Sequence, residues 1–392
     1  MMKKSLIKRF KITALCCAFI VPASAIAAPH VIPDPPAISA ASYIVVDYNS
    51  GKVLAERNAD ERRAPASLTK MMTSYIIGQE LKNGTIKRSD EVTIGRDAWA
   101  INFPESSKMF LKIGTQVSVG MLNRGIIVDS GNDACVAMAD YIAGSSNAFA
   151  QLMNNWAKEL GMDHSHFVNP HGLDNPDHYT TARDMATLAV HLIRDLPQEY
   201  KIYSEKSFTY NKITQYNRNT LLWDKSIHVD GIKTGHTSHA GYNLVASATQ
   251  DGMRLISVVM GTPSKYAREA ESKKLLTWGF RFFETVKPYK AGDSFVKARI
   301  WKGVVDHVAL GVNKNVAVTV PRGQAKNLKA SYELTKTLEA PLKKGEVVGT
   351  LHFKLDGKDV ATYPLVSLQT VKKGSIFKQL FDYILQLFSS WF

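Results

Sequence analysis

Cysteine is nearly absent from this chain: of three in 392 residues, Cys16 and Cys17 sit in the N-terminal segment and Cys135 stands alone in the remainder. A chain trimmed of that segment keeps one thiol and can close no internal disulfide, so its stability has to come from packing. Also absent is any apolar run of the roughly 20 residues that a membrane-spanning helix requires. Acidic residues are in deficit, 35 against 49 basic ones. No basic run interleaves with aromatics, which argues against a nucleic-acid partner, and no internal repeat is visible.

What the N-terminus does have is export chemistry. Lys3, Lys4, Lys8, Arg9 and Lys11 precede an apolar run from Ile12 to Pro22, and Ala25-Ile26-Ala27 offers a small-residue cleavage site. The expected signal segment is residues 1–27, with the mature chain beginning near Ala28. Losing five basic residues lowers the formal charge from +14 to about +9. A basic exported protein suits an anionic neighbour, either acidic lipid or an anionic wall polymer.

Two folded domains are expected, spanning 28–285 and 286–373. Ser42 to Asp47 reads as a strand, Asn49-Ser50-Gly51 as a turn and Lys52 to Glu56 as the returning strand. From Ala66 to about Lys82, Leu68, Met71, Met72, Tyr75, Ile76 and Leu81 recur at helical spacing behind Pro65. Further helices are expected over Asn132–Ala143, Ser146–Leu160 and Tyr266–Thr285, with paired strands Gly241–Ala248 and Met253–Gly261. Beyond Val286 the texture turns to short alternating segments, among them Phe295–Trp301 and Val316–Val320, as in a small all-β domain carrying no catalytic cluster.

The final segment, 374–392, is amphipathic. From Ile376 to Phe392 the apolar residues Phe377, Leu380, Phe381, Ile384, Leu385, Leu387, Phe388 and Trp391 gather mostly on one helical face, opposite Lys378, Gln379, Asp382, Gln386 and Ser389. Such a helix is about 25 Å long, short of the roughly 30 Å hydrocarbon core. It should lie on a membrane surface and not cross it; the competing reading is a helix docked on the β domain.

Three short motifs carry the chemistry. Ser67-Leu68-Thr69-Lys70 puts a hydroxyl and an amine three positions apart, about 5–6 Å at Cβ on one helical face. The lysine can take the serine's proton if burial and a second cation lower its pKa. Ser130-Gly131-Asn132 follows the apolar stretch Gly125–Val128 and precedes a helix. Lys233-Thr234-Gly235 occurs once, just before the strand pair. Singly the patterns are weak, since Ser5-x-x-Lys8, Ser375-x-x-Lys378 and Ser145-Ser146-Asn147 match by accident. In this order, with gaps of about 60 and then about 100 residues, they form the trio associated with penicillin-binding proteins and class A β-lactamases.

The chain resembles the low-molecular-mass penicillin-binding proteins that act as D-Ala-D-Ala carboxypeptidases. The likeness extends through Pro65–Lys70, Asp129–Ala134, Asn169–Leu173, Lys233–Thr237, Leu275–Phe280, the β appendage and the amphipathic tail. It implies an α/β transpeptidase-like domain, with a five-stranded antiparallel sheet flanked by helices, plus a β-rich second domain. It implies no cofactor and no metal. The catalytic group would be Ser67 as nucleophile, Lys70 as base and Ser130 as the donor to the departing amine. Asn132 would hold the peptide backbone, Lys233 would add positive charge, and the N–H groups of Ser67 and His236 would meet the oxyanion. Thr234, Gly235, Thr237, Arg218 and Arg268 complete the expected substrate site, the arginines and threonines at the terminal carboxylate. The His236 side chain either assists the deacylating water or lines the cleft; His171 is read as ordering its loop and Cys135 as a small buried side chain. The implied partners are peptidoglycan pentapeptides, β-lactams as covalent inhibitors and the outer face of the bacterial inner membrane, in the periplasm.

The same trio admits other outcomes. A class A β-lactamase also needs a glutamate-activated water, and Asn169 to Asp184 holds no glutamate. An endopeptidase on this fold needs neither appendage nor tail, and a silent wall-binding protein would be expected to have lost one motif. The segment Asn102–Lys108 is a few residues shorter than in the resembled family, and Glu105 within it has no assigned role.

Overall fold

The computed structural model describes residues 32–389; the segment expected to be an export signal, with Cys16 and Cys17, and the terminal Trp391 and Phe392, lie outside the described residues. Strands β1 (Ser42–Asp47) and β2 (Val53–Arg57) form the opening hairpin. The chain returns much later as β3 (His228–Thr237), β4 (Gly241–Gln250) and β5 (Met253–Thr262). All five make one antiparallel sheet in the order β2-β1-β5-β4-β3, with Val45 opposite Ser257 where the first and last segments meet.

Because side chains alternate across a strand, each face of the sheet needs its own cover. Ile44, Val46, Val245, Ile256, Val258 and Met260 share one core with four helices: α1 (Lys70–Asn83), α2 (Asn132–Ala143), α3 (Ser146–Glu159) and α4 (Ala182–Asp195). Leu255 points the other way, toward Gly279 of α5 (Lys265–Phe282). Sequence reading had no helix at α4, though its signals are present. The Thr181 hydroxyl caps it by accepting the Asp184 N–H at 3.1 Å, and Met185, Leu188, Ala189 and Leu192 follow at helical spacing. The helix expected over Tyr266–Thr285 stops at Phe282. Phe283–Val286 is extended instead, because it pairs with Val318–Pro321 in the next layer.

That second layer is all β. Strands β6 (Phe283–Val286), β7 (Ser294–Arg299), β8 (His307–Gly311), β9 (Val318–Pro321), β10 (Lys329–Leu334), β11 (Val347–Leu355) and β12 (Lys358–Ser367) form a β6–β9 pair and a five-stranded sheet ordered β7-β8-β12-β11-β10. Apolar clusters around Ile300, Leu310 and Leu365, and around Val318, Leu351 and Phe353, fill it. Helix α6 (Ile376–Ser389) follows. Among the described residues no helix is long and apolar enough to cross a membrane.

One buried carboxylate joins the two layers. Asp47, at the end of β1, accepts the Asn49 N–H at 2.7 Å, the Thr319 hydroxyl of β9 at 2.7 Å and the Thr285 hydroxyl of β6. Removing it takes the acceptor from the Thr285 hydroxyl and the Asn49 N–H, while Thr319 keeps the Ser50 hydroxyl as a partner. Asp47→Ala should therefore lose about 1–3 kcal/mol of unfolding free energy, read by urea denaturation, while covalent labelling by fluorescent penicillin at room temperature stays intact.

Candidate active site

Pro65 opens a 3-10 turn, Ala66–Thr69, that leads into α1, so Ser67 stands just ahead of the helix and Lys70 is its first residue. Lys70 is fully buried, and its Nζ lies 3.1 Å from Ser67 Oγ, 2.7 Å from Asn132 Oδ1 and 2.6 Å from the His171 carbonyl. The second motif arrives from a π-helical turn, Gly125–Asp129, after which Ser130 takes a left-handed backbone conformation, φ +61°. That reversal brings Ser130 and Asn132 to the cleft. Asn132 Nδ2 donates to Ser106 Oγ at 2.9 Å; the buried Ser130 Oγ has no hydrogen-bond partner among the described residues.

The third motif lies on β3, the sheet's edge strand. A Cβ on Gly235 would sit 2.7 Å from the Pro65 carbonyl, so only glycine lets this strand close on the serine turn. Gly172, at φ +89°, is tighter still: a Cβ there would meet the Ala66 carbonyl oxygen at 1.9 Å. The loop it belongs to also clamps the turn through His178. The Val168 N–H donates to His178 Nδ1 at 3.0 Å, which leaves the proton on Nε2, and Nε2 lies 2.8 Å from the Thr69 hydroxyl, which donates to the Ala66 carbonyl at 2.8 Å. Burial, then the cations nearby, pull His178 down to about 4 and keep it neutral.

The three motifs and the loop enclose a cleft of about 510 Å³ lined by Ser67, Ser130, Asn132, Thr234, Gly235, His236, Thr237, Arg218 and Arg268. Arg218 donates to the Asp129 carbonyl at 2.6 Å. Arg268 is buried and its Nη2 lies 3.8 Å from Glu269, while its Nε has no hydrogen-bond partner among the described residues. Thr237 donates to Asp174 at 2.8 Å, and His236 stacks on Tyr242 with ring centres 4.0 Å apart.

Charge in this site is shaped first by dryness. Burial pulls Lys70 down to about 8, with Arg218 acting the same way and Cys135 and Asp133 opposing. Lys233 is buried behind the cleft and held well below the usual ammonium range, by burial first and then by the Lys70 and Arg218 cations. Burial raises Asp129 to about 7 and the Cys135 thiol to about 12, so that thiol is neither ionised nor exposed. Glu105 lines the mouth. Sequence reading assigned no part to His178, Gly172, Ser106 or Asp174. Their only advance signal was membership of the Asn169–Asp184 and Asn102–Lys108 segments, since what they do depends on contacts made across the chain. No group of His, Cys, Asp or Glu among the described residues is arranged to hold a metal ion.

Comparison with known proteins gives the family. A family model described as D-alanyl-D-alanine carboxypeptidase matches residues 30–264, and one described as the C-terminal domain of penicillin-binding protein 5 matches 283–373. The D-alanyl-D-alanine carboxypeptidase DacA of Escherichia coli (strain K12) is 58% identical over 97% of this chain and 96% of its own length. DacC of the same strain is 54% identical over 95% of this chain and 94% of its own. The crystal structure of penicillin-binding protein 5 from Haemophilus influenzae superposes with a TM-score of 0.85 at 55% identity, covering 87% of this chain and all of that one. The fold, the cleft and relatives of matching length leave one assignment: the chain belongs to the D-alanyl-D-alanine carboxypeptidase family and is a serine-type peptidase that removes a terminal D-alanine.

Proposed function

We propose that Ser67 attacks the carbonyl between the two D-alanines of a peptidoglycan pentapeptide, forming an ester with Ser67 Oγ and releasing D-alanine. The observation that carries this reading is the hydrogen-bond geometry of Lys70. A neutral amine has two N–H donors and one lone pair. Asn132 Oδ1 and the His171 carbonyl receive the two donors, so the lone pair is left toward Ser67 Oγ, 3.1 Å away. Lys70 then takes the serine proton as the tetrahedral adduct forms. Burial first, and then the Arg218 cation, favour the neutral amine at Lys70, while Lys233 is itself held well below the ammonium range by burial and by the Lys70 and Arg218 charges.

Ser130, buried in the cleft wall without a partner of its own, relays the proton to the departing amine. The amides of Ser67 and His236 receive the oxyanion, a role supported by the close seating of Gly235 against the serine turn. Asn132 Nδ2 holds the substrate backbone. Arg268, with Thr234 and Thr237, binds the terminal carboxylate while Arg218 braces the wall through the Asp129 carbonyl. Water ends the cycle by hydrolysing the ester and returning Ser67. A β-lactam enters by the same attack, and its ester decays slowly because the Asn169–Asp184 loop has no glutamate to activate water. The exported enzyme works in the periplasm, held to the outer face of the inner membrane by α6, whose apolar side is exposed.

Ser67→Ala should form no covalent adduct with fluorescent penicillin while melting like the parent; an adduct of normal yield would move the nucleophile elsewhere. Because Lys70 must be neutral to accept a proton, acylation should rise about tenfold per pH unit below its pKa and level off above about pH 8. Stopped-flow acylation across pH 5–10 reads this, and a flat profile would remove Lys70 as the base. Arg268→Ala should lower kcat/KM for a peptide ending in free D-alanine by about one to three powers of ten, and far less for its C-terminal amide; D-alanine release measured by chromatography distinguishes the two.

A further inference from the structure

Helix α6 is clamped to the domain that carries it. Asp382 is fully buried: Oδ2 accepts the Lys302 N–H at 2.7 Å, and Oδ1 accepts from Lys378 at 2.7 Å and from Arg299 at 3.3 Å. Beside it, segment 302–306 runs along the chain entering the helix. Gly303 bridges Lys373, the Gly374 N–H donates to the Lys302 carbonyl at 2.9 Å, the Val304 N–H donates to the Lys372 carbonyl at 3.0 Å, and Lys378 reaches Asp306 at 2.6 Å.

These bonds occupy the polar side of α6 and turn its apolar side outward: Ile376 is 82% exposed, Phe377 85%, Leu380 58% and Phe381 59%. The adjoining loop adds Val304 at 61% and Val305 at 42%. Two consecutive branched apolar side chains in water, next to a larger apolar strip, mark an interaction surface. Its surroundings say which kind. Lys343, Lys344, Lys372 and Lys373 are exposed and make no ion pair among the described residues. Backbone bonds tie Leu342 to Val371, and Lys344 to the Thr370 hydroxyl, so these lysines gather where the helix begins. Asp306 and Asp382, by contrast, are each neutralised by Lys378 and Arg299. An apolar strip rimmed by unpaired lysines complements an anionic lipid surface.

We propose that the membrane-binding surface is composite: Val304 and Val305 enter the anionic bilayer surface together with the apolar side of α6, and Asp382 is the clamp that keeps loop and helix side by side. This rests on α6 being the tether. It means that the β domain is seated on the lipid and does not swing from a free tail.

The test uses the chain from Ala28 to Phe392 and vesicles of equal parts phosphatidylcholine and phosphatidylglycerol, with fluorescent-penicillin labelling as the check on folding. The pair V304D and V305D should weaken vesicle co-sedimentation by about tenfold or more. A polarity-sensitive dye on V304C, with the remaining Cys135 protected by burial, should shift to the blue on vesicle addition. Asp382→Ala should abolish that shift while α6 still binds. Parent-like binding by the aspartate pair, with a dye that stays in water, would overturn the composite surface even where a chain ending at Lys373 fails to bind. If that shortened chain binds like the full one, the tether reading itself fails. Loss of self-association in the aspartate pair, with vesicle binding unchanged, would assign the patch to a second copy of the chain and equally overturn the proposal.

Discussion

The ε-amine of Lys70 is the constraint on which the site depends. An ammonium sealed from water is costly, and here the seal is made by three segments remote in sequence. The serine turn brings the amine, Ser130–Asn132 brings one acceptor and the Asn169–Asp184 loop brings the other as the His171 carbonyl. Each must approach closely, which is why Gly172 and Gly235 stand where any side chain would collide with the Ala66 or Pro65 carbonyl. The His178–Thr69–Ala66 chain then holds the turn with a neutral imidazole, adding no further charge to a pocket that already has two lysines and an arginine.

Much of this was legible in the sequence, for reasons that differ by element. The helices α1, α2 and α3 and strands β1, β4 and β5 declare themselves by local period, and their ends fall within a few residues of where apolar alternation stops. The α/β architecture with an antiparallel sheet and an all-β second domain follows from those elements and from the family resemblance. Helix α4 escaped notice because its signals sit behind a loop read for its motif likeness and for the glutamate it lacks. The end of α5 was misjudged because Phe283 and Thr285 suit a helix or a strand alone, and pairing with β9 decides between them.

The motif residues were legible because their chemistry is unusual at their spacing. Their supports were not. Nothing local distinguishes His178 from a surface histidine, or Gly172 from a turn glycine, until the turn at Ala66 is laid against them. The same holds for the carboxylates that fasten the outer parts of the molecule. Asp47 and Asp382 look like ordinary polar residues on a strand end and a helix, yet both are fully buried at junctions between layers. Short apolar patterning predicts which faces seek cover, but not which single acid will find its donors in another element.

The close seating of Gly235 and Gly172 on the serine turn also bears on how the chain acquires its reactivity. Those contacts link Ala66 to residues more than a hundred positions later, so they belong to the slow, non-local part of folding. Before they form, Ser67 is an ordinary hydroxyl beside a solvated, charged lysine. The close pairing of Ser67 with a buried Lys70 therefore exists only once the sheet's later strands and the 169–184 loop have docked, and a part-folded chain does not have it.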